Sequence, residues 1–197
     1  RWEFTSLYEI NSKEKINIQT SLNYHHQDSY YGNSKYEAIQ HTFFNQIIWH
    51  KDIGLRNEFT TGISNKYVNY NDNTPITELL IRSFTPGIFF QNEITISNQW
   101  KILTGLRWEQ HQEHGTILSP RLNLKWELTE QTIIRCNTGS GFRVVNLFTE
   151  DHAFLSGARD IIIVEKLNPE KSINFNFNLH HRFDNNNNIT NIYFDLF

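Results

Sequence analysis

Polar and apolar side chains alternate along almost the whole chain, and this two-residue period limits the possible folds more than any other feature. Between Lys15 and Tyr24 the apolar positions are Ile16, Ile18 and Leu22, and polar residues occupy most of the places between them. Successive side chains of a β-strand point to opposite faces, so the pattern describes strands with one apolar and one polar face. No 3.6-residue period appears outside the expected connections. The sequence therefore predicts an all-β chain.

The spacing of these segments predicts ten strands, each near the length that crosses a bilayer when tilted. We expect them near residues 2–9, 15–24, 41–50, 53–63, 86–96, 101–111, 117–127, 132–139, 172–182 and 189–197. Short connections are expected at 11–14, 51–52, 97–100, 128–131 and 184–188, and long ones at 25–40, 64–85 and 140–171, with a modest one at 112–116. Short turns on one side and long loops on the other are typical of an antiparallel transmembrane β-barrel, with the short turns in the periplasm.

Composition agrees with a barrel and excludes other classes. Mean hydropathy is -0.55 although 14% of the residues are aromatic, which suits strands that divide their side chains between lipid and a polar lumen. No apolar run approaches the roughly 18 residues of a membrane helix. A net charge of -3 and nine scattered His form no basic stripe, so we expect no nucleic-acid partner.

Aromatic residues fall where the two membrane interfaces of a barrel would lie. Trp49, Trp100 and Trp126 are next to short connections, whereas Tyr24 and Trp108 are near long ones. Trp and Tyr are enriched at both interfaces, so this distribution predicts two aromatic girdles. The alternative is that they are ordinary aromatic residues of a β-rich protein.

One series of motifs points to a family. Residues 119–126 read Ser-Pro-Arg-Leu-Asn-Leu-Lys-Trp, 134–143 read Ile-Arg-Cys-Asn-Thr-Gly-Ser-Gly-Phe-Arg, and 167–172 read Leu-Asn-Pro-Glu-Lys-Ser. The series resembles the late barrel of TonB-dependent outer-membrane receptors. Residues 144–145 and 151–164 depart from the family pattern. The motif positions that carry the resemblance are Gly139, Gly141, Phe142, Arg143, Pro169 and Glu170.

The motif residues have structural roles in this interpretation. We expect the two glycines to let the strand end bend out of the wall, where a side chain would obstruct it. Arg143 is expected to contact loop carbonyls or carboxylates.

The resemblance implies a fold and a function. Residues 1–197 are expected to form a partial barrel domain, about ten of the roughly 22 strands of such transporters, without a plug domain. The chain lacks Met and begins with Arg, so we expect a piece of a longer protein whose barrel continues past Phe197.

The implied activity is the uptake of a scarce extracellular ligand through the outer membrane of a Gram-negative bacterium. The ligand would be siderophore iron, cobalamin, haem, a metal complex or an oligosaccharide, bound by outer loops and plug. The implied partners are outer-membrane lipid, the TonB energy-transducing complex acting on a plug, and, for glycan importers, a surface lipoprotein. This transport makes and breaks no bonds, so the resemblance implies no enzyme.

Ligand contacts are expected in the long connections, where aromatic rings and polar groups offer stacking and hydrogen bonds. The candidates are Tyr30, Tyr31, Tyr36, Tyr67, Tyr70, Phe154 and Arg159.

We expect no cofactor and no metal site. Adjacent His of a strand point to opposite faces, so the pairs at 25–26 and 180–181 cannot chelate as units. His111 and His114 could share a metal only in a curled loop, and we expect solvated loop residues there instead.

Two other functions remain open at this point. A smaller closed barrel could be an outer-membrane enzyme such as an omptin-like protease, whose Asp and His pairs would converge at the outer rim. The only candidates are Asp28, His25, His26, Asp151 and His152. A soluble β-rich binding module is the second alternative.

Overall fold

Ten β-strands make up the computed structural model, which describes residues 1–32, 34–73, 81–144, 168–185 and 188–197. Their bounds are β1 Trp2–Asn11, β2 Glu14–Tyr31, β3 Ser34–Ile53, β4 Asn57–Asp72, β5 Ile81–Thr95, β6 Trp100–His111, β7 Gly115–Thr129, β8 Thr132–Arg143, β9 Glu170–Asn185 and β10 Asn188–Leu196. Within the described ranges, no helix is of a length and apolarity that would cross a membrane. The predicted all-β class and strand number are confirmed.

All ten strands form one antiparallel sheet in chain order, each paired with the next. The register of β2 and β3 is continuous from Glu14 opposite Lys51 to Tyr31 opposite Ser34. In the part of the chain that the structure describes, β1 and β10 are the edges, so this sheet is not closed on itself.

The predicted lengths of several strands were wrong. Residues 25–31 and 34–40, expected in a long connection, continue β2 and β3 to lengths of 18 and 20 residues. Residues 64–72 likewise belong to β4, 81–85 to β5 and 140–143 to β8. Crossing a bilayer takes about 9–11 residues per strand, so β2 and β3 are long enough to project well beyond it. We call residues 25–40 and 68–72 the outer extension.

Both faces of the outer extension are polar, which is why its strands resembled a loop in the sequence. Lys35 Nζ lies 3.3 Å from Asp28 Oδ2 and 3.0 Å from Glu37 Oε2, on the face that carries apolar residues lower in the sheet. A strand with water on both sides needs no alternation of polar and apolar side chains, so its sequence shows no two-residue period.

Below the extension the sheet has two unlike faces, because residues paired across strands point the same way. The apolar face carries side chains that are largely exposed, among them Ile63 at 48%, Leu106 at 46% and Leu122 at 45%. The polar face carries most of the charged side chains. Apolar residues buried among the described ones are few: Tyr36, Ala38, Phe89 and Ile117. Exposed apolar surface of this extent on a single layer is typical of a face that contacts lipid or another protein.

Tryptophans mark the short-turn end of the apolar face, as predicted. Trp100 and Trp126 are opposite each other on β6 and β7, and their rings stack with centroids 4.8 Å apart. On β3, Trp49 Nε1 donates a hydrogen bond of 2.8 Å to Glu14 Oε1. An aromatic ring with one hydrogen-bonded polar atom suits a membrane interface.

Glycines on the polar face make room for large neighbours. A Cβ at Gly62 would lie 2.5 Å from the Ile47 carbonyl oxygen and 2.6 Å from the Phe89 ring. A Cβ at Gly105 would lie 2.8 Å from Arg121 Nε.

The expected role of Gly139 and Gly141 at a bending strand end was wrong. Both lie inside β8, which continues to Arg143. Neither has a positive φ, whereas Gly32, Gly54 and Gly115 in the turns do. Gly139 instead leaves space for its cross-strand partner Arg121, whose Cβ would be 3.3 Å from an added Cβ.

Candidate functional site

Two tyrosines and two neighbouring groups form a cluster on the polar face of the outer extension. The hydroxyls of Tyr36 on β3 and Tyr70 on β4 are 2.9 Å apart. Tyr36 and Ala38 are buried, and Tyr70 packs against them. Asp72 is also buried and interacts with the Tyr70 hydroxyl. We call Tyr36, Tyr70 and Asp72 the outer-rim cluster.

Tyr70 stays a neutral phenol under physiological conditions. Burial, the hydrogen bond to Tyr36 and the neighbouring Asp72 carboxylate all raise the pKa of Tyr70 far above its ordinary value. The cluster can therefore donate and accept hydrogen bonds, but Tyr70 does not offer a phenolate.

His111, expected in solvent, is buried at 7% exposure beside Ser83. Its Nδ1 accepts hydrogen bonds from the backbone N–H groups of Glu113 and His114, at 3.2 and 3.3 Å, and its Nε2 is 3.4 Å from Ser83 Oγ. The His114 ring stacks on it with centroids 4.7 Å apart. Both nitrogens of His111 are thus engaged by the protein. Within the described ranges no three His, Cys, Asp or Glu residues are grouped as a metal site.

Arg107 and its partners lie on the same face, below the outer extension. Arg107 donates hydrogen bonds to Ser64 Oγ at 2.9 Å and to Glu109 Oε1 at 2.8 Å, and its guanidinium lies 5.9 Å from the centroid of the Phe89 ring. Ser64 is buried at 2% exposure. Gly87 leaves the space that Glu109 and Ser64 occupy. Nothing in the sequence indicated Ser64, because a small polar residue in an alternating strand has no distinctive pattern.

Among the predicted ligand residues that the structure describes, Tyr36 and Tyr70 are brought together. Tyr36 and Tyr70 share the polar face, whereas Tyr30, 71% exposed, and Tyr67 lie on the opposite face. Tyr31 is the last residue of β2, opposite Ser34. All five belong to strands and not to the expected loops. Phe154 and Arg159 lie outside the described residues.

The motif residues meet where β8 ends and β9 begins. Gly141, Phe142 and Arg143 are opposite Ser172, Lys171 and Glu170. The Arg143 guanidinium binds the Glu170 carboxylate, with Nε 3.0 Å from Oε2, and Pro169 directly precedes β9. The ion pair lies between the two ends of the 144–169 connection, which the pairing of β8 with β9 brings together.

Among the described residues, the candidates for a protease at the rim are not assembled. His25 lies on the polar face and His26 and Asp28 on the opposite one. His26 Nε2 is 3.5 Å from Glu37 Oε1. Asp151 and His152 lie outside the described residues.

Known structures share this architecture. The siderophore receptor PirA from Pseudomonas aeruginosa is similar with a TM-score of 0.64 at 13% identity, over 92% of this chain and 43% of that chain. The copper transporter OprC is similar with a TM-score of 0.68 at 12% identity, over 92% of this chain and 36% of that chain. The ferric citrate transporter FecA in its unliganded form is similar with a TM-score of 0.52 at 18% identity, over 91% of this chain and 31% of that chain. The chain thus spans less than half the length of each. These structural similarities establish the fold of the chain.

A family model identifies the chain more directly. The model described as TonB dependent receptor-like, beta-barrel matches residues 2–197. No curated protein matches the chain. The match covers nearly every residue and agrees with a ten-stranded antiparallel sheet whose apolar face is exposed. The chain belongs to the TonB-dependent receptor β-barrel family.

Proposed function

We propose that this chain is part of the wall of an outer-membrane transporter that takes up a scarce extracellular ligand. The observation that carries the proposal is the two-faced sheet: the apolar face suits lipid, and the polar face suits the lumen of a barrel. Membership of the family supports the same conclusion. In this account the barrel holds a plug, and the TonB complex pulls on that plug to open a path.

The outer-rim cluster is the part of the lumen wall that an arriving ligand would meet. It lies at the end of the sheet opposite Trp49, Trp100 and Trp126, on the face that would line the lumen and on strands long enough to project past the membrane. Tyr36 and Tyr70 are therefore our leading ligand candidates. Tyr30 and Tyr67 are on the outer side of the wall in this account, so we assign them no ligand contact.

The chemistry of the cluster favours an oxygen-rich organic ligand. Neutral phenols and a carboxylate offer hydrogen bonds, and the tyrosine rings offer stacking. Such groups recognise a chelate or a glycan through its outer atoms, and within the described ranges no three His, Cys, Asp or Glu residues are grouped to hold a bare metal ion. An organic chelate, such as a ferric siderophore, or an oligosaccharide is the class we propose.

Uptake in a deletion strain tests this function. A strain without redundant transporters would carry the full-length gene, and growth and uptake would be measured under iron, cobalamin and glycan limitation. We expect growth to depend on the gene under one of these limitations. Growth that is independent of the gene under every limitation would contradict transport.

Variants of the cluster test the ligand candidates. Tyr36→Phe and Tyr70→Phe each remove one hydroxyl, and a lost hydrogen bond of about 1 kcal/mol weakens binding about fivefold. Tyr30→Phe is the matched control on the opposite face and should leave uptake unchanged. Equal effects of Tyr30→Phe and Tyr70→Phe would remove the cluster from the ligand site.

A further inference from the structure

A row of polar side chains interrupts the apolar face of the sheet on β2, β3 and β4. Thr20 is opposite Asn45, and Asn45 is opposite Asn65. We call these three residues the polar row. The neighbouring rows on the same face are apolar or aromatic, with Ile18, Ile47 and Ile63 on one side and Leu22, Phe43 and Tyr67 on the other. The polar row is thus enclosed by side chains that suit lipid.

The polar row lies well inside the membrane in the proposed barrel. On β3, Asn45 is four residues from Trp49 and four residues from His41, whose ring packs on that of Tyr24 with centroids 5.0 Å apart. A strand crosses the bilayer in about 9–11 residues, so Asn45 is near the middle of the crossing. Asn65 is its neighbour on β4. At this depth the lipid side offers no water to polar side chains.

Two members of the polar row are hydrogen-bonded within the sheet, and the third is not. Asn45 Nδ2 donates to Thr20 Oγ1 at 2.8 Å and to the carbonyl oxygen of Gln19 at 3.3 Å. The amide of Asn65 makes no side-chain hydrogen bond among the described residues, and it is half-buried. A carboxamide that faces hydrocarbon without a partner is unfavourable. Asn65 therefore requires a partner from outside this sheet.

Other strands show that the wall needs no polar group at this depth. The apolar face of β7 carries, in order, Leu118, Pro120, Leu122, Leu124 and Trp126. The apolar face of β9 carries Ile173, Phe175, Phe177 and Leu179. A wall in contact with lipid on all strands would repeat this composition throughout. The polar row thus indicates that β2 to β4 contact something other than lipid.

A second copy of the same protein is the partner that the polar row fits. Copies in one membrane share one orientation, so the two-fold axis of a dimer is parallel to the membrane normal and residues meet at their own depth. A polar row in one copy is therefore level with the polar row of the other. A carboxamide both donates and accepts hydrogen bonds, so Asn65 can pair with Asn65 of the partner subunit.

The rows on either side of the polar row permit close contact between two copies. They carry no charged residue, and Leu22, Phe43 and Ile63 are 48%, 37% and 48% exposed. Apolar side chains alone gain little from association in a bilayer, because lipid tails are equally apolar. Hydrogen bonds between polar residues then fix which surfaces associate. The amide of Asn65 supplies that group here.

We propose that the apolar face of β2 to β4 is the interface of a homodimer in the outer membrane, with the Asn65 amides of the two copies hydrogen-bonded to each other. The inference rests on the membrane placement in the proposed function. The interface uses the outside of the wall, so the lumen of each barrel is left unchanged.

Disulfide crosslinking of the full-length protein in native outer membranes tests the interface. Cys136, on the apolar face of β8 opposite Leu124, is first replaced by serine. In that background Asn65→Cys and Ile63→Cys are each oxidised with copper phenanthroline. We expect a product of twice the mass of the full-length protein, because facing cysteines come within disulfide distance. Leu122→Cys, at a position 45% exposed on β7, is the matched control and should stay monomeric.

The contribution of the amide is measured by sedimentation equilibrium of the full-length protein in detergent micelles. Hydrogen bonds between membrane segments predict that Asn65→Leu weakens dimerisation about threefold to thirtyfold. Asn65→Gln retains a carboxamide and should keep most of the dimer. Thr104→Val removes a polar group from the apolar face of β6, outside the polar row, and should leave the dissociation constant unchanged.

The outcomes separate this proposal from the proposed function. A protein that is active in uptake but forms no dimer through position 65 or 63 overturns the interface alone. Equal yields at positions 65 and 122 would mean random collision, and a product that contains a different protein would exclude the second copy as the partner. An unchanged dissociation constant in Asn65→Leu would overturn the amide pairing. Uptake that is independent of the gene contradicts the proposed function whatever the crosslinking shows.

Discussion

Glycine at position 62 is a packing requirement of the wall. A Cβ there would meet the Ile47 carbonyl oxygen at 2.5 Å and the Phe89 ring at 2.6 Å, and a backbone atom cannot move aside easily. We expect Gly62→Ala to destabilise the full-length protein by roughly 1–3 kcal/mol, the usual cost of overpacking. Unfolding by denaturant in detergent micelles measures this.

Gly105→Ala is the matched control for that variant. Its Cβ would meet only the Arg121 side chain, which is flexible and exposed. We expect a smaller loss of stability, below that of Gly62→Ala. Equal losses at the two positions would contradict the role given to the Ile47 backbone.

The raised pKa of Tyr70 predicts that the stability of the outer extension depends on pH in the alkaline range. Because the folded-state pKa of Tyr70 is raised, the stability it contributes is complete below the ordinary tyrosine pKa of about 10 and is lost as pH rises above it. The outer extension should therefore loosen in alkali more in the wild type than in Tyr70→Phe. Tyrosinate absorbance measures the ionisation of tyrosine, and protease cleavage within residues 25–40 measures the loosening of the outer extension. Identical alkaline profiles of the two proteins would contradict the burial of Tyr70.

Single residues were the least predictable from the sequence. Alternation along each strand puts Arg107, Arg121 and Arg135 on the polar face. It could not show that Arg107 has hydrogen-bond partners and that Arg121 has none among the described residues, because partners depend on which strands are neighbours and in which register. The burial of His111 also depends on contacts with Ser83 on another strand.

At the scale of elements, the outer extension is separable from the membrane-crossing sheet. Gln27 is opposite Ala38, so replacing residues 27–38 by an Asn-Gly turn would close the hairpin in its existing register. We expect the shortened full-length protein to reach the membrane in normal amounts but to lose ligand uptake, because Tyr36 is removed. Surface abundance and uptake are measured in parallel. Loss of assembly would show that the extension is needed for folding.

The ion pair between Arg143 and Glu170 should contribute little to stability. The two side chains are 60% and 53% exposed, and exposed pairs contribute about 0–1 kcal/mol. A double-mutant cycle with Arg143→Ala and Glu170→Ala measures the coupling. We expect less than about 1 kcal/mol. A much larger coupling would mean that the pair is shielded from water by other parts of the protein.

Element number and type could be predicted from the sequence, but element length could not. Alternation revealed all ten strands because lipid on one side and a polar lumen on the other impose it. It failed at residues 25–31 and 34–40, where His26, Asp28 and Glu37 lie on the face that is apolar lower down. There the backbone hydrogen bonds of a hairpin continue without any apolar signal.

The difference between the two faces of the sheet predicts how adjacent residues of one strand tolerate the same substitution. Leu122 and Asn123 are adjacent on β7, but Leu122 is on the apolar face and Asn123 on the lumen face. A lysine on the lipid face near the bilayer centre costs about 2–4 kcal/mol. We expect Leu122→Lys to impair assembly and Asn123→Lys to be tolerated, as measured by heat-modifiable gel mobility of the full-length protein. Equal impairment by both substitutions would argue against a lipid-facing Leu122.

The most direct test of the account is the environment of successive side chains along β7 in the membrane. Spin labels would be placed one at a time at residues 117–126 of the full-length protein in lipid vesicles, and their accessibility to oxygen and to a water-soluble nickel chelate compared. The account predicts a two-residue period, with labels at Leu118, Leu122 and Leu124 more accessible to oxygen and less to the chelate than their neighbours. Accessibility without that period, or with chelate access on both faces, would contradict a wall between lipid and lumen.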